Sequence, residues 1–168
     1  MRALEAASTT PPLAWLPVLL AYAVFAVASA WLTAVDLRTH RLPNAIVLPL
    51  YPTLLTLFAL SAVATGDGSP LLTALCAGAA LFLLYAVLRA AGGGVGGGDV
   101  KLAGVVGVAM GHAGWSTALV GTAAAFVLGG VVALCLIATR RATRTTRIAF
   151  GPYLLGGAWL ALAASAVA

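Results

Sequence analysis

The sequence predicts an all-α, polytopic membrane protein with about six transmembrane helices, on three observations. Of 168 residues, 62% are apolar and only 8% are charged, whereas a soluble globular chain carries roughly 25% charged residues. The mean hydropathy is +1.09. The apolar residues also fall into six runs, most of them near the length of about 20 residues that crosses a hydrocarbon core as a helix. Such a chain lacks the polar coat of a soluble enzyme, and it is the opposite of the apolar-poor composition of disordered chains. No long linker interrupts the runs, so residues 1–168 read as a single membrane-embedded domain.

The first run, Leu13 to Val35, follows a Thr/Pro-rich start. A cleaved signal peptide ending near Ala26-Val27-Ala28 is the competing reading. Arg2 and Glu5 together at the start, and a run longer than the usual apolar stretch of a signal peptide, favour a retained helix. The second run, Ala45 to Ala64, is entered through Pro43-Asn44 and carries Pro49 and Pro52. Membrane helices tolerate such prolines where neighbours satisfy the freed carbonyls. The turn Thr65-Gly66-Asp67-Gly68-Ser69-Pro70 leads to the third run, Leu71 to Ala91.

The fourth run, Val100 to Met110, is short. Eleven residues rise about 17 Å, roughly half the hydrocarbon core. Either the helix continues through Gly111-His112-Ala113-Gly114, or the preceding glycine-rich segment, Gly92 to Gly98, dips into the membrane. Backbone without helical structure survives at that depth only within protein or beside a water-filled cavity. The fifth run is Trp115 to Thr139; a basic loop follows, and then the sixth run, Phe150 to Val167. Small residues recur four apart at Ala103, Gly107 and Gly111, and again at Gly121, Ala125 and Gly129. This spacing suits close helix packing in lipid, although a chain with 19 glycines also produces it by coincidence.

The formal charge of +5 is better explained by membrane orientation than by a nucleic-acid partner. Arg38, Arg41, Arg89, Lys101, Arg140, Arg141, Arg144 and Arg147 all lie in or beside the connections after the first, third and fifth runs, and only Arg2 belongs to the opposite face. Short cytoplasmic loops are enriched in Lys and Arg, so both termini are expected outside and the basic loops in the cytoplasm. Cys76 and Cys135 lie in apolar runs without a CxxC and read as small buried hydrophobes. His40 and His112 fall in separate loops on opposite faces. Neither a metal nor a cofactor is expected.

Of the four acids, Glu5 and Asp67 go to the outer face, while Asp36 and Asp99 share the cytoplasmic one. Each of the latter has a structural reading: Asp36 pairs with Arg38 or Arg41, or Asp99 caps the fourth helix, whose dipole suits an anion. Two carboxylates at one end of a bundle also suit general acid–base work. Held close together they cannot both ionise, so one serves as base and the other as acid. The glycines before Asp99 remove side chains and would let a substrate backbone approach its carboxylate.

At these residues the sequence resembles a known family. Gly96-Gly97-Gly98-Asp99-Val100-Lys101-Leu102 resembles the GxGDxKL segment of type IV prepilin peptidases, the GxGD membrane aspartic proteases. Asp36-Leu37-Arg38-Thr39-His40-Arg41-Leu42-Pro43-Asn44 is similar to that family's first-aspartate segment, and Phe150-Gly151-Pro152-Tyr153-Leu154 to the FGPxL segment entering its last helix. The resemblance implies a peptidase of the cytoplasmic membrane with Asp36 and Asp99 as its catalytic pair. Gly96, Gly98, Lys101, Pro43 and Asn44 would bind substrate or shape the site. The implied substrate is a prepilin or pseudopilin, cut after the Gly that ends a short basic leader and before a hydrophobic helix. The paired CxxC motifs of longer members are absent from this sequence, so zinc and methyltransferase activity are not expected. The competing reading is a small proton- or cation-coupled transporter or channel subunit using the same two aspartates. Against it, both acids fall at one end, whereas transport sites favour the midplane. A structural assembly protein would leave the pair idle.

Overall fold

The computed structural model describes residues 12–92, 94–140 and 149–167. Arg2, Glu5, Gly93, Arg141, Arg144 and Arg147 lie outside them. Among the described residues six helices follow one another: α1 (Pro12–Thr39), α2 (Asn44–Thr65), α3 (Ser69–Ala90), α4 (Gly97–Ala113), α5 (Trp115–Ala138) and α6 (Gly151–Val167). Four of them, α1, α2, α3 and α5, are long and apolar enough to cross a membrane. Their outward faces carry Leu19, Val27, Leu83, Leu119 and Leu134, all exposed. In a soluble protein such a surface would aggregate, whereas lipid accepts it.

The helices pack mainly as consecutive antiparallel pairs, α1 with α2, α3 with α4 and α5 with α6. Their chain directions alternate, so the ends of α1, α3 and α5 share one end of the bundle with the starts of α2, α4 and α6. Close approaches at that end confirm the arrangement: Gly98 lies against Leu42, Gly97 against Arg89, and Gly151 against Asp36.

The short fourth run becomes the centre of the fold. α4 contacts α2, α3, α5 and α6, and every residue from Leu102 to Gly111 is buried. A helix that is apolar all round belongs in the interior of a larger assembly. At 17 residues it spans about 25 Å. It extends beyond the apolar run at both ends, from Gly97 through His112. The glycines before it form a turn and an extended entry, with Gly92 and Gly94 at positive φ.

Small residues make this central position possible. A Cβ on Gly107 would come within 2.6 Å of the Ala77 carbonyl oxygen, and one on Gly111 within 2.8 Å of the Thr73 carbonyl oxygen. The backbones of α3 and α4 therefore touch. On the other side, a Cβ on Gly157 of α6 would meet the Gly121 carbonyl oxygen at 2.5 Å and the Ala125 nitrogen at 2.6 Å. Both small-residue patterns are packing surfaces, since association in lipid rests on such contacts and not on hydrophobic expulsion. Cross-bundle hydrogen bonds add to them: Ser61 Oγ donates to the Ala14 carbonyl (2.9 Å), and the Tyr22 hydroxyl to that of Ala109 (3.1 Å).

Three expectations are corrected. Cys76 and Cys135 are exposed, on the outer faces of α3 and α5, because an apolar residue in a membrane helix has lipid as an alternative to a protein interior. His112 belongs to the last turn of α4, not to a loop, and its ring stacks on Phe58 with centroids 3.8 Å apart. α1 runs four residues past Val35, which places Asp36 inside a helix.

Replacing Gly107 with leucine forces the α3 and α4 backbones apart. Overpacking of a well-filled interior typically costs about 1–3 kcal/mol, and here the obstacle is backbone. The expected outcome is a large fall in thermal midpoint of the detergent-solubilised protein, followed by circular dichroism. The same change at Gly130, where a Cβ meets nothing, should leave the midpoint almost unmoved.

Candidate functional site

Asp36 stands in the last turn of α1 and is 4% exposed. An anion at a helix C-terminus faces the negative end of its own dipole, so it needs a partner. Arg38 and Arg41 are exposed and do not fill that role. The partner is the first turn of α6, where the Gly151 amide donates to Asp36 Oδ2 at 3.1 Å. The start of α6 is built for this contact. A Cβ at Gly151 would stand 2.6 Å from Asp36 Oδ2, so any other residue there has to displace the carboxylate. Pro152 follows, and its missing N–H is no loss in a first helical turn, where such donors have no intrahelical acceptor. The backbone amide of His40, just beyond α1, donates to the Asp36 carbonyl at 2.8 Å and closes the end of that helix.

Asp99 stands in the first turn of α4 and is partly buried. Its Oδ2 accepts the Gly96 amide at 3.0 Å, so it does cap the helix, as its structural reading predicts. This capping does not exclude another role. Asp36 and Asp99 stand at the same end of the bundle: a Cβ on Gly151, whose amide holds Asp36, would lie 3.6 Å from Leu102 Cδ2, on the next turn of α4 after Asp99. The topology thus brings together the two acids that charge counting assigns to one face.

The glycines before Asp99 differ from expectation in what occupies their space. The missing Cβ of Gly98 would be 2.9 Å from Leu42 Cβ, that of Gly97 would collide with the Arg89 guanidinium, and that of Gly96 would be 3.0 Å from Asp99 Oδ2. The room is taken by the chain's own groups, which lets the α1–α2 connection and the end of α3 close over the α4 N-terminus. Gly96 and Gly98 therefore leave room for the chain's own groups around the α4 N-terminus.

Pro43 precedes α2, and its carbonyl accepts the Ile46 (3.1 Å) and Val47 (3.2 Å) amides of the first turn. Asn44 then offers its Oδ1 to Lys101 Nζ at 2.9 Å, while the Tyr51 hydroxyl donates to the Lys101 carbonyl at 2.7 Å. Lys101 is therefore tied to α2. Beside it a cavity of about 570 Å³ between α3 and α4 is lined by Phe82, Arg89, Gly97, Val100 and Lys101 among others. Among the described residues, no three His, Cys, Asp or Glu side chains gather where they could hold a metal ion.

Sequence reasoning noticed the Phe150-Gly151-Pro152 segment but not its link to Asp36. A Gly-Pro pair at the start of an apolar run does signal a helix N-terminus, and a helix N-terminus signals an anion site. Tyr85 was missed altogether. It is fully buried, and only its position on the inner face of α3 hints at that.

A helical membrane bundle with two acids meeting at one end defines a broad class. Within it, the chain matches the type IV leader peptidase family over residues 23–134 and belongs to that family. The matched region contains both aspartates, Pro43, Asn44 and Lys101, and ends before α6. No curated protein and no solved structure matches the chain.

The Asp36–Gly151 contact is open to a double-mutant test. A hydrogen bond to a charged group contributes about 1.5–3 kcal/mol, so Gly151→Ala should cost at least that in denaturant unfolding in detergent. Adding Asp36→Ala should then cost little more than the first change alone. Fully additive costs would show that the two residues do not depend on each other.

Proposed function

We propose that this protein is a membrane aspartic endopeptidase that removes the short basic leader of a prepilin or pseudopilin after a Gly. One observation carries the reading: two of only four acids, 63 positions apart in the chain, stand at one end of the bundle, each accepting a backbone amide at the start of a helix. Family membership supports a peptidase. The excess of Lys and Arg at the same end supports a cytoplasmic location for it in the cell membrane, by the positive-inside rule. A transport role lacks such support.

In this reading water lies between the two carboxyl groups, of which one is ionised and one protonated. The carboxylate takes a proton from water as the water oxygen attacks the scissile carbonyl carbon, and the carboxylic acid gives its proton to the carbonyl oxygen. Collapse of the tetrahedral diol then breaks the C–N bond. The leaving nitrogen takes up the proton first drawn from water, and a diol hydroxyl proton returns to the other aspartate. The pair shares one proton throughout, so its pH dependence belongs to both residues together. The hydrophobic helix of the substrate lies in the bilayer beside the bundle. Lys101 and Arg89, which line the cavity between α3 and α4, suit an acidic residue of the substrate.

The test is leader removal from a prepilin in membranes containing the protein. Asp36→Asn and Asp99→Asn should each lower cleavage by about 10²–10⁴-fold, the usual contribution of a positioned acid or base, with unchanged protein levels. Normal processing by either variant would sink the dyad. Labelling of single cysteines in the connections, before and after opening the vesicles, reports which face the pair occupies.

A further inference from the structure

Tyr85 is 0% exposed, and its hydroxyl has no hydrogen-bond partner. Buried tyrosine hydroxyls normally find one, because leaving a polar atom desolvated and unpaired is costly. Phenylalanine would fill the same space without that cost. An orphaned buried hydroxyl in an otherwise well-satisfied core therefore calls for an explanation.

Its position in the bundle supplies one. Tyr85 continues the inner face of α3 set by Ala74, Ala77, Gly78 and Leu81, all buried. The register of α3 on α4 is fixed where Gly107 touches Ala77. The two helices are antiparallel, so eight residues after Ala77 and eight before Gly107 bring Tyr85 level with Asp99. The charge of Asp99 indeed reaches the Tyr85 hydroxyl. The ring is held from the side, stacked on Phe126 with centroids 5.7 Å apart and tilted against Phe150 at 6.0 Å. Phe150 directly precedes Gly151, whose amide holds Asp36. Tyr85, Phe126 and Phe150 thus form one aromatic cluster next to the Gly151 that holds Asp36, and among the described residues the Tyr85 hydroxyl is the buried side-chain polar atom without a hydrogen-bond partner.

We propose that the Tyr85 hydroxyl contacts the substrate, donating a hydrogen bond to the scissile carbonyl oxygen as that oxygen becomes tetrahedral beside Asp99. This rests on the peptidase reading above. The O–H bond stays intact throughout, and no proton is transferred to or from Tyr85. Donors aimed at the oxygen where charge develops act on the transition state more than on bound substrate, so the contribution falls on kcat.

The test compares wild type, Tyr85→Phe and Asp99→Asn, each full length in proteoliposomes, on a prepilin substrate. Tyr85→Phe should lower kcat by about 10²-fold, the scale of losing one such donor. Its KM should stay within about twofold and its thermal midpoint should not fall. A non-hydrolysable mimic carrying a hydroxyl at the tetrahedral carbon should bind Tyr85→Phe about 10²-fold more weakly, while an uncleaved substrate binds both proteins alike. Wild-type kcat in Tyr85→Phe overturns the proposal. So does a parallel loss of stability and activity, or failure of the variant to fold, because either assigns the hydroxyl a structural role. Failure of the peptidase reading is seen separately, as cleavage that is absent in wild type or undiminished in Asp99→Asn.

Discussion

The fold depends on enclosing α4 by its neighbours at backbone contact. Lipid offers no hydrophobic force to drive one helix against another, so the contact must come from shape. Gly107 and Gly111 present bare backbone to α3, while residues Leu102 to Gly111 disappear into the interior. Once α4 is central, its first turn is delivered to the middle of one end of the bundle, and Asp99 arrives with it. The glycine-rich entry follows from the same demand. Leu42, Arg89 and the Asp99 carboxyl occupy the volume that side chains at residues 96–98 would need.

The candidate site is a meeting of helix termini. Asp36 ends a helix whose dipole repels it but lies on the start of another whose dipole attracts it. Asp99 sits at the start of its own helix and takes the Gly96 amide. Both carboxyl groups thus draw backbone donors from helix N-termini. Neither needs an arginine, which would pin its charge and fill the space beside it. Cations stay at the margin, Lys101 held by Asn44 and Arg89 packed over Gly97.

Much of this was legible in the chain. Scarce charge betrays the membrane, the alternation of basic connections brings Asp36 and Asp99 to one end, and the apolar runs locate all six helices. What escaped did so for physical reasons. Helix ends were misjudged because apolar runs stop where polarity begins, while hydrogen bonding carries α1 on through Asp36 and Arg38 to Thr39. The start of α4 at Gly97 contradicts the weak helix propensity of glycine, which tertiary contact overrides. Cys76 and Cys135 misled because apolar character in a membrane helix does not say whether protein or lipid receives the side chain. The partner of Asp36 escaped because it is a backbone amide, which carries no signature in side-chain chemistry.

That partnership spans 115 positions of the chain, and this sets an order of events during synthesis. α1 through α5 can enter the bilayer and pack while Asp36 still lacks its donor, because Gly151 is made after all of them. Until α6 inserts, the carboxylate at the end of α1 is held only by its own helix. The aspartate end is therefore completed by α6, so a nascent chain or one truncated before α6 carries both acids without the geometry that organises them.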